Sequence, residues 1–341
     1  MNTLALPALA SRLTRSALAA GVLAACQLAA HATEPVTVQL RWVAQAQFAG
    51  YYVAQAKGYY RALDLDVTIK PGGPDTSVAQ VLAGGGADLI VDWMPTALAA
   101  RERGVPLVNV AQSFARSGMQ MTCRADSGVR SPADLKGKTV GVWYSGSEYP
   151  FLAWMAKLGL EVGADDGVKV LKQGYNVDPL LQKQADCIST MSYNEYWQVI
   201  DGGLTPEQLV VFSYADQGVS TLEDGLYAME AKLQDPAYVE RLGKFVAATN
   251  KGWKYAIENP DEAVDIILDA DASGAQTAEH QRRMLVEVGK LIDLSTGGAL
   301  AEADYQRTVD ILLSGGSTPV ITKAPEGAWT SVVTDAAQKY Q

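Results

Sequence analysis

The sequence predicts an α/β protein of two lobes, with the chain crossing twice between them and a ligand cleft in between. Three observations predict it. From Val36 onward, strand-like and helix-like runs alternate at a spacing of about 25 residues, the pattern of βαβ units around a mainly parallel sheet. The alternation breaks near residues 112–118 and then starts again. Three strand-like runs, Val36–Trp42, Ala87–Trp93 and Thr139–Trp143, each end in a tryptophan and lead directly into a helix start.

The elements follow in order. After the strand to Trp42, the spacing predicts a helix from Gln47 to Lys57, stopped by Gly58. Asp66–Lys70 is a strand closed by Pro71-Gly72-Gly73-Pro74, and Asp75–Leu82 a helix ended by Gly84-Gly85-Gly86. The strand to Trp93 leads into a helix with Pro95 in its first turn, and Leu107–Ala111 completes the series. Residues 112–118 cross into a second series beginning at Met119. This contains a helix start at Ser131-Pro132-Ala133-Asp134, the strand to Trp143, a helix over Ser147–Leu160, a strand over Val168–Leu171, a helix from Asp178-Pro179 and a strand over Cys187–Met191. Leu209–Tyr214 is expected to carry the chain back, by a second crossing near residues 212–219. Beyond Pro236 the chain reads as helical, with further starts at Asn259-Pro260 and around Ala275. One lobe is therefore expected from residues 36–115 and 216–341 and the other from 116–215, and a body hinged by two crossings closes around its ligand.

The N-terminus reads as a secretion signal over residues 1–32. Arg12 and Arg15 precede a small apolar run, Ser16–Ala25, and Ala30-His31-Ala32 offers a cleavage point before Thr33. Leu23-Ala24-Ala25-Cys26 is the alternative: a lipobox that would end the signal at residue 25 and anchor the protein by a lipid on Cys26. Either way the expected location is the periplasm. Removing residues 1–32 takes two of the 28 basic residues and none of the 38 acidic ones, for a net charge near −12. Such a balance argues against nucleic acid and anionic membrane surfaces as partners. Only His280, Cys123 and Cys187 would then remain of the histidines and cysteines, which argues against a histidine-based triad and a zinc site. The two cysteines are either a disulfide or two small buried thiols.

In an open α/β sheet, ligands bind outside the carboxyl ends of the strands. Trp42, Trp93 and Trp143 occupy that position three times over, and indoles placed there suit a flat ring held by stacking. Gln47 and Tyr51, one helical turn apart, are expected on one face after Trp42. Ser145 and Glu148 follow Trp143 in a loop whose free N–H groups could hold a ligand oxygen, although Ser145-x-x-Glu148 also fits a capping box. Tyr193, Asn194 and Glu195 follow the strand Cys187–Met191, and a carboxylate among aromatic rings is placed to accept hydrogen bonds from an amino group or ring N–H. Asp92, Glu148 and Glu195 stand at strand ends with few Arg or Lys in the neighbouring sequence, so a neutral or cationic nitrogen heterocycle is expected rather than a sulfonate. Leu135-Lys136-Gly137-Lys138-Thr139 is not a phosphate loop, since Pro132 stands where Gly is needed and the segment precedes a strand instead of following one.

The run from Trp42 to Ala54 (Trp-Val-Ala-Gln-Ala-Gln-Phe-Ala-Gly-Tyr-Tyr-Val-Ala), with Lys57-Gly58-Tyr59-Tyr60 and Leu65-Asp66-Val67, resembles periplasmic solute-binding proteins of the thiamine-pyrimidine-precursor, nitrate and alkanesulfonate group. So do Leu135-Lys136-Gly137-Lys138 before Val140-Gly141-Val142-Trp143, the Tyr193-Asn194-Glu195 element, and Gly252-Trp253-Lys254-Tyr255-Ala256. The likeness spans about Val36 to Leu268. It implies the type II periplasmic-binding-protein fold and a monomer that delivers a small molecule, without any cofactor, to an ATP-driven permease in the inner membrane. It also implies that Trp42, Tyr193 and Glu195 fall where pyrimidine binders stack and hydrogen-bond the ring. A formylaminopyrimidine or hydroxymethylpyrimidine is the expected ligand, riboflavin the runner-up and a sulfonate or other anion third. The same superfamily contains a pyridoxal-phosphate-dependent pyrimidine synthase, whose lysine and histidine would fall near Trp93 and Ala97 and whose cysteine-rich motif is absent here.

Overall fold

A computed structural model describes residues 33–314 and 319–341. The expected signal, its alternative cleavage points and Cys26 lie outside the described residues. Among those described, no helix is long and apolar enough to cross a membrane.

Ten strands are described. In chain order they are β1 Glu34–Gln39, β2 Leu65–Lys70, β3 Leu89–Asp92, β4 Leu107–Ala111, β5 Met119–Arg124, β6 Thr139–Val142, β7 Lys169–Lys172, β8 Cys187–Met191, β9 Leu209–Ser213 and β10 Gly225–Met229. They form two five-stranded sheets, ordered β2-β1-β3-β10-β4 and β7-β6-β8-β5-β9, one in each lobe. β1 runs parallel to β2 and β3, and β6 parallel to β7 and β8. β10 lies antiparallel between β3 and β4, and β5 antiparallel between β8 and β9. Each sheet is thus parallel apart from the first strand laid down after a crossing. β3, β4 and β8 are buried along their whole length, as strands covered on both faces by helices must be, which explains their near-continuous apolar runs.

One expectation is corrected. Leu209–Tyr214 does not return the chain to the first lobe: β9 pairs with β5 along Leu209–Ser213 as an edge of the second sheet. The return strand is β10, whose Gly-Leu-Tyr-Ala-Met carries no β-branched residue and so gives little strand signal. The cysteine question resolves as a disulfide. Cys123 and Cys187 sit directly opposite one another on β5 and β8 and are bonded, closing a separation of 64 residues.

The long helix Pro236–Glu258 anchors the first lobe. Asp235 caps it by accepting from Ala237 N–H at 2.9 Å, and Leu242, Phe245, Val246, Thr249, Trp253 and Ala256 form its buried stripe at three- and four-residue steps. It crosses the helix Ala49–Ala56 at Gly50 and Gly252. There a Cβ on Gly252 would collide with the Gly50 carbonyl oxygen, so the two backbones approach as closely as only glycine allows. This contact fixes the helix that follows the Trp42 loop, and so fixes one wall of the cleft.

Candidate functional site

The loops after β1, β2, β3, β6, β7 and β8 converge on a cleft of about 420 Å³ lined from both lobes. The volume lies within the usual range for small-molecule sites, about 300–1,000 Å³. Of the residues predicted from sequence, Trp42, Gln47, Asp92, Trp93, Trp143, Ser145, Tyr193, Asn194 and Glu195 line it together. Tyr51 and Glu148 do not.

Tyr51 fails for a geometric reason. The chain from Ala46 to Phe48 is a 3₁₀ turn and the α-helix begins only at Ala49, so Gln47 and Tyr51 do not share a helical face. Gln47 turns to the cleft, whereas the Tyr51 ring is buried against Phe245 and Trp253 with centroids 6.2 and 6.5 Å away. Glu148 folds back on its own loop, where its carboxylate accepts from Gly146 N–H at 2.7 Å, and the helix Tyr149–Leu158 starts without the Ser145 side-chain cap.

The first-lobe wall is a closed electrostatic unit. Arg41, unmarked by any local signal, pairs with Asp92, which is fully buried; β1 and β3 are neighbours in the sheet, and this brings the two strand-end residues together. The guanidinium also lies 4.5 Å from the Trp93 ring centroid. One Asp92 oxygen is thereby occupied and also accepts from Trp93 N–H at 2.8 Å, while Oδ2 has no protein partner. Burial pushes the Asp92 carboxyl up, and Arg41 and the Trp93 N–H act against it. Beside this pair, Asp224 accepts from Trp93 Nε1 at 3.2 Å and from Gln47 Nε2 at 2.6 Å, and Gln45 Nε2 donates onward to Gln47 Oε1 at 2.6 Å. Asp224 holds a left-handed backbone, φ 45°, and burial lifts its carboxyl to about 6 against the pull of Gln47, Arg41 and Trp93.

The second-lobe wall is built differently. Trp143 Nε1 donates to Gly174 O at 3.1 Å, tying the loop after β6 to the loop that carries Tyr175. Tyr175, half exposed, meets Trp42 across the cleft mouth at 4.6 Å between ring centroids, tilted by 55°. It follows the end of its strand by three residues, as Trp42 does, so an aromatic shortly after a strand is the signal that could have found it. Tyr193 is buried deeper, against Gly118 of the first crossing. Glu195, only 7% exposed, accepts from Met191 N–H at 2.9 Å and Asn194 Nδ2 at 2.8 Å. Burial raises it to about 7 despite those two donors. Gly146, φ 99°, brings this lobe's loop so close to the first that a Cβ there would lie 2.7 Å from Thr96 Oγ1.

The expectation of few basic residues near the acidic strand ends also needs correction. Arg41 and Arg103 both line the cleft. Arg41 is neutralised by Asp92, however, and the Gly146 N–H is taken by Glu148.

Two sheets completed by crossing strands, with a ligand-sized cleft between them, define a periplasmic-binding-protein fold. The periplasmic aliphatic sulphonate binding protein of Escherichia coli matches it with a TM-score of 0.63 at 13% identity, over 82% of this chain and 85% of that one. The family model described as NMT1/THI5 like matches residues 45–263, and the chain belongs to that family. Among its relatives, the formylaminopyrimidine-binding protein of Halalkalibacterium halodurans is 30% identical over 70% of this chain and 71% of its own length. The riboflavin-binding protein of Chloroflexus aurantiacus is 27% identical over 69% and 66%. A 4-amino-5-hydroxymethyl-2-methylpyrimidine phosphate synthase of Candida albicans is also similar, 28% identical over 32% of each chain.

Proposed function

We propose that this chain is the substrate-binding component of an ATP-driven importer and captures an aminopyrimidine of the thiamine-precursor type in the periplasm. One observation carries the reading: aromatic side chains from both lobes line one cleft together with a buried carboxylate, Glu195, which has only two neutral protein donors for its two oxygens. A flat ring stacks on Trp42, Tyr193 and the neighbouring indoles, while its exocyclic amino group donates to Glu195. Two of the groups that would suit an anionic ligand already have carboxylate partners, the Arg41 guanidinium with Asp92 and the Gly146 N–H with Glu148, which leaves Arg103 as the cation available to one. The protein acts as a monomer and a carrier, not a catalyst: ring capture brings the lobes together, and the closed arrangement is what the permease receives.

Riboflavin is the second reading, favoured by the cleft volume, which exceeds the need of a single substituted ring, and by the riboflavin-binding relative. Titration of tryptophan fluorescence in refolded, ligand-free protein separates the two. Saturable quenching by 4-amino-5-hydroxymethyl-2-methylpyrimidine or its formylamino counterpart supports the proposal. Quenching by riboflavin alone replaces it, and binding of neither at micromolar concentration overturns both.

A further inference from the structure

We propose that His280 is a positioning residue for the ligand acceptor, reaching from the first lobe to hold the Asn194 amide so that its NH₂ group faces Glu195. The inference rests on the reading of Glu195 as that acceptor. The helix Ala278–Gly289 belongs to the first lobe by packing, lying on the helices Pro236–Glu258 and Pro260–Ala270 and on the turn Ala46–Phe48. Gln281, fully buried, accepts from Ala46 N–H at 2.6 Å and so grips the loop that presents Gln45 and Gln47 to the cleft. One residue earlier, His280 Nε2 lies 2.8 Å from Asn194 Oδ1 in the second lobe. Consecutive residues at one helix start therefore hold both walls of the site.

An amide side chain has one accepting and one donating end. Asn194 Oδ1 is engaged by His280 and by Gln198 Nε2 at 3.1 Å, which leaves Nδ2 to donate to Glu195 Oε1 at 2.8 Å. For His280 to donate, its proton must be on Nε2, as in one neutral tautomer and in the imidazolium. The charged groups around it are Glu279 and Arg283 on its own helix and Asp201 and, through Asn194, Glu195 on the facing one. Arg283 is occupied, donating to Asp201 at 2.7 Å and to Glu279 at 2.6 Å, and Asp201 Oδ2 stands 3.9 Å from His280 Nδ1. Burial lowers the imidazole, with Asp201 opposing and Arg283 adding to the fall. Without the imidazole only the longer Gln198 bond holds the amide oxygen, so the amide is less firmly held with its donor toward the carboxylate, and a turned amide would remove that donor and add repulsion.

The test reads Glu195 directly. The carboxyl carbon is followed by NMR from pH 5 to 9 in ligand-free wild type, His280→Ala and His280→Gln. Wild type should titrate near 7, and His280→Ala should titrate higher by about half a unit or more. His280→Gln, which keeps an N–H donor, should return most of that shift. Titration of His280→Ala at the wild-type midpoint overturns the proposal, as does an equal shift in both variants, since that would report loss of packing and not of a donor. The same samples are titrated with 4-amino-5-hydroxymethyl-2-methylpyrimidine. Failure of wild type to bind it sinks the ligand reading alone, because the carboxyl midpoint is measured without ligand.

Discussion

The two walls of the cleft hold carboxylates in opposite ways. In the first lobe a cation is present: Arg41 pairs with Asp92 and its charge also favours the Asp224 carboxylate, which accepts from Trp93 and Gln47. In the second, Glu195 is buried with neutral donors only, and its carboxyl rises to about 7. The walls thus divide the labour. A wall whose charges are already compensated contributes shape and stacking, and a wall with an under-compensated acid contributes a hydrogen bond that the ligand itself must complete.

Four changes test this contrast. Arg41→Ala should act most strongly, because it leaves Asp92 buried without its cation. A loss of about 3–5 kcal/mol in stability is expected from urea unfolding, together with loss of ligand binding. A small effect would mean that the first wall is not compensated as described. Next, the ligand-free protein should lose stability as pH rises. Burial raises Glu195 to about 7, Asp224 to about 6 and its neighbour Glu223, a buried acid that accepts from Gly118 N–H at 3.1 Å, to about 8, against reference values of 4.5, 3.8 and 4.5. In that window the native state holds more protons than the unfolded one, so stability present below about pH 4 is lost as pH rises through 6 to 8. Thermal melts from pH 4 to 9 check the slope, and Glu195→Gln should flatten part of it. Third, Glu195→Gln should weaken aminopyrimidine binding by about 1.5–3 kcal/mol with no loss of stability at pH 8, measured by calorimetry and melting on the same samples. Equal losses in both would erase the distinction between the walls. Smallest is Trp42→Ala, worth about 0.5–1.5 kcal/mol of stacking beyond buried area, seen as faster ligand release.

The sequence makes legible whatever depends on strand ends. Trp42, Trp93, Trp143, Tyr193 and Glu195 each follow a strand closely, and strand ends of one polarity share one edge of a sheet. What stays illegible depends on pairing or on local backbone. Arg41 and Asp92 are 51 residues apart and meet only because β1 and β3 are adjacent. Asp224 enters the site from a crossing segment through a left-handed turn on a residue other than glycine, for which no pattern exists. The Gln47–Tyr51 spacing misleads because a 3₁₀ turn precedes the helix, and a helical face cannot be counted across that junction. The strand β10 is silent because a short buried strand can be made of Gly, Ala and Met when its neighbours supply the packing.

That strand has a consequence for synthesis. Every strand of the second sheet lies between Met119 and Ser213, so that sheet is complete in one uninterrupted stretch of chain. The first sheet has a vacant slot between β3 and β4 until Gly225–Met229 has been made. A ribosome-bound or truncated chain that stops short of it therefore exposes two unpaired strand edges, and nascent chains halted before residue 225 are where this protein is most prone to stick to others of its kind.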